Sequence, residues 1–219
     1  MSAPLFRKEQ VRALLETPYL NFYDLQPSPG HHYFEASRRK KEDLVVLRSE
    51  DELRRTLPDA VSCFIILKTP GEEPRLLLQY EYRYPAGRFL LGITAGLIDE
   101  ADRETEEPLF SAARREIFEE TGLTVGPGDR LRVISPFVYS SPGMSDESNA
   151  LIGAVISVPS PSVLTSEGEE GSENIGSYRL VTREEALSLL SDGCDTDGSY
   201  FPIFCWAALS WFVSGAWKE

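Results

Sequence analysis

The sequence predicts an α/β (α+β) fold, a mixed β-sheet sandwiched between helices, preceded by a small β-arm. Three observations carry that expectation. Ala60–Lys68 is an almost unbroken apolar run of strand length, as a buried strand requires. Pro108–Thr121 has helical periodicity instead: Phe110, Ala113 and Ile117 recur at i, i+3 and i+7 ahead of Gly122, a residue suited to a left-handed C-terminus. Thr182 and Glu185 then form a capping box that opens another helix at Arg183. Strands around a central helix, with a further helix closing the far side, pack as a sheet between helical layers.

The remaining elements follow in chain order. Val11–Glu16 reads as a short helical piece. Asn21–Leu25 and His32–Glu35 read as short strands joined by the Pro27–Gly30 turn. Residues 1–58 are thus a hairpin-like arm too small to be stable alone, and 59–219 the main domain. Arg75–Tyr82 and Arg88–Ala95 are the next strands, then Leu131–Tyr139 and Ala150–Val158. Pro159–Ser177 is a Ser/Gly/Glu-rich loop, expected to be mobile, before a short strand at Ser177–Val181. Tyr200–Trp217 is the most apolar stretch, but Pro202, Ser210, Ser214 and Gly215 interrupt it. It reads as a buried terminal helix, neither a membrane span nor a basic interfacial helix.

Composition narrows the function classes. With 219 residues, 42% hydrophobic and 26% charged, the chain suits one globular domain with an arm or two small domains. Cys63, Cys194 and Cys205 are odd in number and widely spaced, so they read as ordinary buried or half-buried thiols in a reducing cytoplasm. Met1–Gln10 is polar and lacks the apolar core of a signal peptide. A net charge of −13 argues against nucleic-acid binding. The basic run Arg38–Lys41 is followed at once by Glu42 and Asp43 and reads as solvated surface. His31 and His32 read as exposed turn residues without a catalytic role.

The chemistry concentrates in residues 115–123, Arg-Glu-Ile-Phe-Glu-Glu-Thr-Gly-Leu. Glu116, Glu119 and Glu120 share one helix face, where three like charges repel. A hard divalent cation with oxygen ligands accounts for the arrangement.

Arg115–Leu123 resembles the end of the Nudix box, G-x5-E-x7-R-E-U-x-E-E-x-G-U, with U a bulky aliphatic residue. Glu107 lies eight residues before Arg115, at the spacing of the box, and Thr94–Glu100 is similar to its opening loop. From Gly96 to Arg115 the offset is nineteen against fourteen in the box, so Ala101–Glu106 holds about five extra residues, read as an acidic insertion in a surface loop. The resemblance implies a Nudix fold and Mg2+-dependent pyrophosphate hydrolysis, with Mn2+ as an alternative ion. It implies Glu116 and Glu120 as direct ligands together with the backbone carbonyl of Ala95. Glu119 would bridge a second ion or bind through water, and Arg115 would orient the glutamates.

Two further segments resemble the ADP-ribose and ADP-sugar pyrophosphatases. Ser141-Pro142-Gly143-Met144-Ser145-Asp146-Glu147 is similar to their Ser-Pro-Gly-x-x-x-Glu loop, which implies Glu147 as general base, with Asp146 as runner-up and Met144 near substrate. Glu81-Tyr82-Arg83 resembles their Gln-Tyr-Arg run, which implies that Tyr82 and Arg83 meet substrate. Glu81 stands for the Gln, and Gly92 and Thr94 replace a Glu and a Pro of the relatives' loop. The resemblance also implies a homodimer formed through the arm, with Phe22, Tyr23, Tyr33 or Phe34 stacking on adenine. The implied substrate is ADP-ribose or a related nucleoside diphosphate sugar, giving AMP and a sugar phosphate. NADH or a diadenosine compound is the alternative substrate, and a non-cleaving ADP-ribose-type sensor the alternative class.

Overall fold

The computed structural model describes residues 6–165 and 174–219. Residues 166–173, within the loop expected to be mobile, lie outside the described residues. Two compact units are present.

The first unit takes in the chain up to Asp59 together with Phe137–Asn149. Its antiparallel sheet is β1 (Val11–Leu15), β2 (Asn21–Leu25) and β3 (Tyr33–Ser37), in that order. The helix expected at Val11–Glu16 is instead the strand β1, with Val11 opposite Leu25 and Ala13 opposite Tyr23. A single helical turn closes few hydrogen bonds for the residues it orders, whereas the ladder beside β2 satisfies the backbone and buries Val11. Val11, Tyr23, Leu25 and Leu44 form a small core with Phe6, Val46 and Leu47 against it. A four-residue helix, α1 (Glu50–Leu53), follows, opened by the Ser49–Glu52 capping box.

The second unit holds a seven-stranded sheet of β4 (Ala60–Lys68), β5 (Arg75–Arg83), β6 (Arg88–Gly92), β7 (Thr94–Leu97), β8 (Arg130–Tyr139), β9 (Ser148–Ser157) and β10 (Ile175–Val181). The ends of β8 and β9 from Phe137 to Asn149 group with the first unit. The helices are α2 (Glu100–Arg103), α3 (Pro108–Thr121), α4 (Arg183–Asp192) and α5 (Ile203–Ser214). The apolar run of β4 serves both faces by strict alternation. Val61, Cys63, Ile65 and Leu67 pack with Ala112, Ala113 and Ile117 of α3. Phe64 and Ile66 pack with Ala186 and Leu189 of α4 and with Cys205, Ala208, Leu209 and Phe212 of α5. The expected terminal helix is therefore a core element, and among the described residues no helix is long and apolar enough to cross a membrane. Cys63 and Cys205 are buried and Cys194 half-buried, all three as free thiols.

The strand expected at Arg88–Ala95 is broken at Ile93. β6 pairs with β5 and β7 pairs with β4, so the chain changes partner there. The break sets Ala95 opposite Ser62 and Thr94 opposite Cys63, bringing the loop motif onto the strand that α3 covers.

Candidate active site

The α3 stripe turns polar toward its C-terminus. Ala113, Glu116, Ile117 and Glu120 all lie on its buried side, with Glu116 4% and Glu120 2% exposed. Glu119 projects further out, its side chain 21% exposed. Gly122 ends the helix with φ +70°, its N–H bonded to the Phe118 carbonyl, a conformation that a side chain would strain.

Groups from β5, β7 and β10 converge on these carboxylates. Gln79 Nε2 donates to Glu120 Oε2 at 2.7 Å, and Thr94 Oγ1 donates to Gln79 Oε1 at 3.2 Å. Tyr178 Oη donates to the Glu120 backbone carbonyl. The Glu116 carboxylate lies so close to Gly96 that a methyl group there would overlap it. Gly96 is thus needed for close approach rather than for an unusual φ. Burial pushes the Cys63 thiol well up, and the charges of Glu120 and Glu116 add to that. One buried sulfur feels both carboxylates because the two point to the same place.

Arg115 is the hub. Its Nη1 lies 2.8 Å from Glu116 Oε1 and 2.8 Å from Glu119 Oε2. Its Nη2 donates to the Leu97 carbonyl at 2.7 Å and to Asp102 Oδ2 at 3.0 Å, and Nε reaches the same Asp102 oxygen at 3.3 Å. Burial opposes the guanidinium charge, but Glu116, Asp102 and Glu119 outweigh it and raise the arginine pKa. Asp102 belongs to the insertion read as surface loop, and the structure corrects that reading. The insertion opens with the short helix α2, and Asp102 is 4% exposed. Burial pushes its carboxyl up, yet the Ser111 hydroxyl, Arg115 and the Asp99 N–H more than offset this and hold it below the usual range. Counted forward from Gly96, Asp102 stands at the acidic position of G-x5-E; counting back from Arg115 to Glu107 passes over it. An acidic residue thirteen before the arginine, three after the Asp99 cap, was the available signal.

The donor set fits a hard divalent ion. Two buried carboxylates one turn apart, with a backbone cradle at Gly96 against one of them, offer oxygen ligands in a shielded site. Among the described residues no three His, Cys, Asp or Glu side chains converge to hold an ion. The Arg115 guanidinium stands between Glu116 and Glu119. Backbone oxygen, water and substrate would complete the shell, as Mg2+ commonly requires. A cavity of about 490 Å3 lined by Lys68, Arg130 and Trp217 lies at the other end of β4 and contains none of these carboxylates.

Alternation along β5 puts Leu77, Gln79, Glu81 and Arg83 on the α3 side of the sheet. Arg83 is half-exposed, its Nη2 2.5 Å from Glu81 Oε2. Tyr82 packs edge-on against Tyr84 and Phe89, with centroids 5.1 and 5.4 Å away.

In the first unit, the Ser141–Glu147 loop is docked on β3. Met144 and Gly143 accept from the Ala36 N–H at 3.0 Å and from Tyr33 Oη at 2.6 Å. Arg38 Nε donates to Glu147 Oε1 at 3.0 Å. Asp146 is buried, accepting from Ser37 Oγ at 2.6 Å and from the Val45 N–H at 3.2 Å. Arg39, expected in solvent with the rest of Arg38–Lys41, is instead nearly buried, with Nη2 2.9 Å from Asp59 Oδ1 and Nη1 3.4 Å from Asp146 Oδ1. Paired carboxylates make its burial affordable. Of the arm aromatics, Tyr23 is buried in the core and cannot stack on a ligand. Phe22, Tyr33, Phe34 and Met144 are exposed, and Phe22 and Phe34 stack on each other 5.9 Å apart. His31 and His32 are both exposed, and His32 Nδ1 lies 2.9 Å from Asp24.

Comparison with known proteins agrees with this geometry. A family model described as the NUDIX domain matches residues 56–202. The chain is similar to an uncharacterised Nudix hydrolase of Schizosaccharomyces pombe (strain 972), 34% identical over 103 residues, which are 47% of this chain and 45% of that protein. The match thus spans about half the length of that curated relative. The fold is similar to that in a crystal structure of an ADP compounds hydrolase, with TM-score 0.53 and 20% identity over 94% of this chain and 90% of the other. At that identity the likeness concerns the fold. The expected α/β Nudix fold is the one observed, and the matched region covers more than half of the sequence: the chain belongs to the NUDIX domain family.

Proposed function

We propose that this protein is a Mg2+-dependent hydrolase of ADP-ribose or a related nucleoside diphosphate sugar, releasing AMP and a sugar phosphate. The observation that carries the reading is the buried pair Glu116 and Glu120, one turn apart on α3, with the Gly96 backbone against the first. Burying two carboxylates side by side is costly unless a cation joins them in the working state. Mg2+ or Mn2+, when bound, would neutralise the pyrophosphate charge and activate water. Glu116, Glu120 and the Ala95 carbonyl are the proposed ligands, with Glu119 at a second ion or bound through water.

Arg115 keeps the glutamates oriented, and Gln79 holds Glu120 from the sheet side. Arg83 and Tyr82 are the proposed substrate contacts on β5; Arg83 would exchange Glu81 for a phosphate oxygen. Phe22 and Met144 are proposed substrate contacts from the first unit, and a homodimer through the arm is part of the same reading. Glu147 is the proposed general base. Asp146 is already committed to Ser37, Val45 and Arg39, whereas the Glu147 side chain is one-third exposed and paired with Arg38. The acidic surface and the free thiols favour a cytoplasmic small-molecule enzyme over a nucleic-acid or membrane protein.

The ADP compounds hydrolase of similar fold supports an adenylate substrate. The test is a panel of nucleotide sugars, NADH and diadenosine compounds with Mg2+, followed by phosphatase-coupled phosphate release. Fastest turnover of ADP-ribose or an ADP-sugar is expected. Preference for NADH or a diadenosine compound would replace the substrate assignment. Tight binding without turnover on any member would replace the enzyme with a sensor.

A further inference from the structure

We propose that Glu35 is a pH-dependent latch for the Ser141–Glu147 loop: carrying its proton it lets the loop dock on β3, and once charged it drives the loop off. Tyr33, Glu35 and Ser37 alternate along β3 and lie opposite Leu25, Tyr23 and Asn21, the buried side of β2. The outer two hold the loop. Tyr33 Oη donates to the Gly143 carbonyl at 2.6 Å, and Ser37 Oγ donates to Asp146 Oδ1 at 2.6 Å. Between them Glu35 is 6% exposed, and its Oε2 has no hydrogen-bond partner among the described residues. Docking therefore brings one buried carboxylate, Asp146, toward another.

The surroundings leave a second charge uncompensated. Asp146 already takes the Ser37 hydroxyl, the Val45 N–H at 3.2 Å and Arg39 Nη1 at 3.4 Å. Arg39, the cation that follows β3, is shared with Asp59, its Nη2 2.9 Å from Oδ1. Tyr23 on β2 and Tyr139 at the end of β8 are phenols whose pKa values burial raises further above neutrality. Glu16 and Glu42, whose charges bear on Tyr23, have the same sign as Glu35. His31 and His32 are exposed, and His32 pairs with Asp24. Burial, then the Asp146 charge, push the Glu35 carboxyl up to about 7 against the pull of Arg39. The docked loop thus favours the protonated form, and by linkage the proton favours docking. Undocking admits water and removes Asp146, returning the carboxyl toward its ordinary value of 4.5. As pH rises through that window the docking constant falls, by up to about 30-fold between pH 5.5 and 8. Part of the burial comes from the arm core and stays, so a fall of at least tenfold is expected. Glu35 is a positioning residue: the Arg38–Glu147 pair belongs to the docked loop, and release frees that carboxylate. The consequence for catalysis rests on Glu147 being the base; the latch does not.

Hydrogen exchange of the full chain without substrate, followed by NMR, reads the latch. The Ala36 N–H donates to the Met144 carbonyl at 3.0 Å, so it exchanges when the loop leaves β3. Its protection factor, with the intrinsic pH dependence of exchange divided out, should fall at least tenfold from pH 5.5 to 8. It should also lie at least tenfold below those of the β1–β2 ladder. Glu35→Gln should hold it within threefold across that range, and Glu35→Leu should do the same if the glutamine variant does not fold. A carboxylate that merely destabilised the arm would lower the protection of the ladder with pH and leave Ala36 flat. A smaller fall in the parent overturns the inference, as does a fall beyond threefold in a folded variant. Equal protection of Ala36 and the ladder at every pH also overturns it, because the loop would then leave only when the whole arm unfolds. A parent chain that shows the fall but cleaves nothing on the substrate panel removes the proposed activity and leaves the latch standing.

Discussion

Replacing Glu35 with glutamine should stabilise the protein at pH 8 relative to pH 5, compared with the parent chain, by about 2 to 3 kcal/mol. Glu35 sits on β3 with 6% exposure, and its Oε2 has no hydrogen-bond partner among the described residues. Burial, then the Asp146 charge, push its carboxyl up from 4.5 to about 7, against the pull of Arg39. Arg39 spends much of its charge on Asp59 and Asp146, while Tyr23 and Tyr139 bring no countercharge. The sign follows from proton counting. Between pH 4.5 and about 7 the folded chain keeps a proton that the unfolded chain has released. Stability therefore falls as pH rises through that window and levels off above it. At about 1.4 kcal/mol per pKa unit the full effect is about 3 kcal/mol, most of it between pH 5 and pH 8. Glutamine removes the titration. Its amide adds an unpaired buried donor costing about 1–3 kcal/mol, but this cost is equal at both pH values and cancels in the difference. Urea denaturation of both proteins at pH 5, 6, 7 and 8 reads the effect. Stability curves that run parallel within about 0.5 kcal/mol would refute the reasoning, because Glu35 would then titrate alike in both states.

Three further outcomes are expected. Glu120→Gln should abolish turnover while circular dichroism stays native, since Gln79 can flip its amide to meet the new side chain; unchanged activity would take Glu120 out of the metal site. Glu147→Gln should slow kcat by more than tenfold, about 1.4 kcal/mol or above in the barrier, and a rate within twofold of the parent would assign the base elsewhere. Gly96→Ala should force Glu116 aside, lowering stability by about 1–3 kcal/mol and weakening Mn2+ binding; parent-like binding would mean that the Gly96 cradle plays no part.

The arm shows how tertiary context overrides a local pattern. Val11–Glu16 carries a helix-compatible sequence, yet β2 offers a ladder edge and the segment pairs as a strand. Arg39 shows the same for charge. Within Arg38–Lys41 nothing marks it off from its neighbours, and only the fold brings Asp59, twenty residues further on, and Asp146 from a distant loop to the same guanidinium. Tyr23 and Phe22 are adjacent, and strand alternation sends one into the core and leaves the other exposed.

The carboxylate run at 115–123 was readable directly. Helical spacing is a property of the local chain, and three repelling glutamates ahead of a C-capping glycine imply a cation whatever surrounds them. The apolar stripe of Phe110, Ala113 and Ile117 likewise announced α3 to the residue, because the hydrophobic period is written in consecutive positions. What the tertiary structure decided is which distant groups serve those glutamates. Gln79 reaches Glu120 across forty-one residues, and the change of strand partner at Ile93 lays Gly96 against Glu116. The segment after Gly96 folds so that Asp102 meets the Nε/Nη2 edge of Arg115. Such contacts depend on which elements stack across the sheet, and no local period along the chain encodes that.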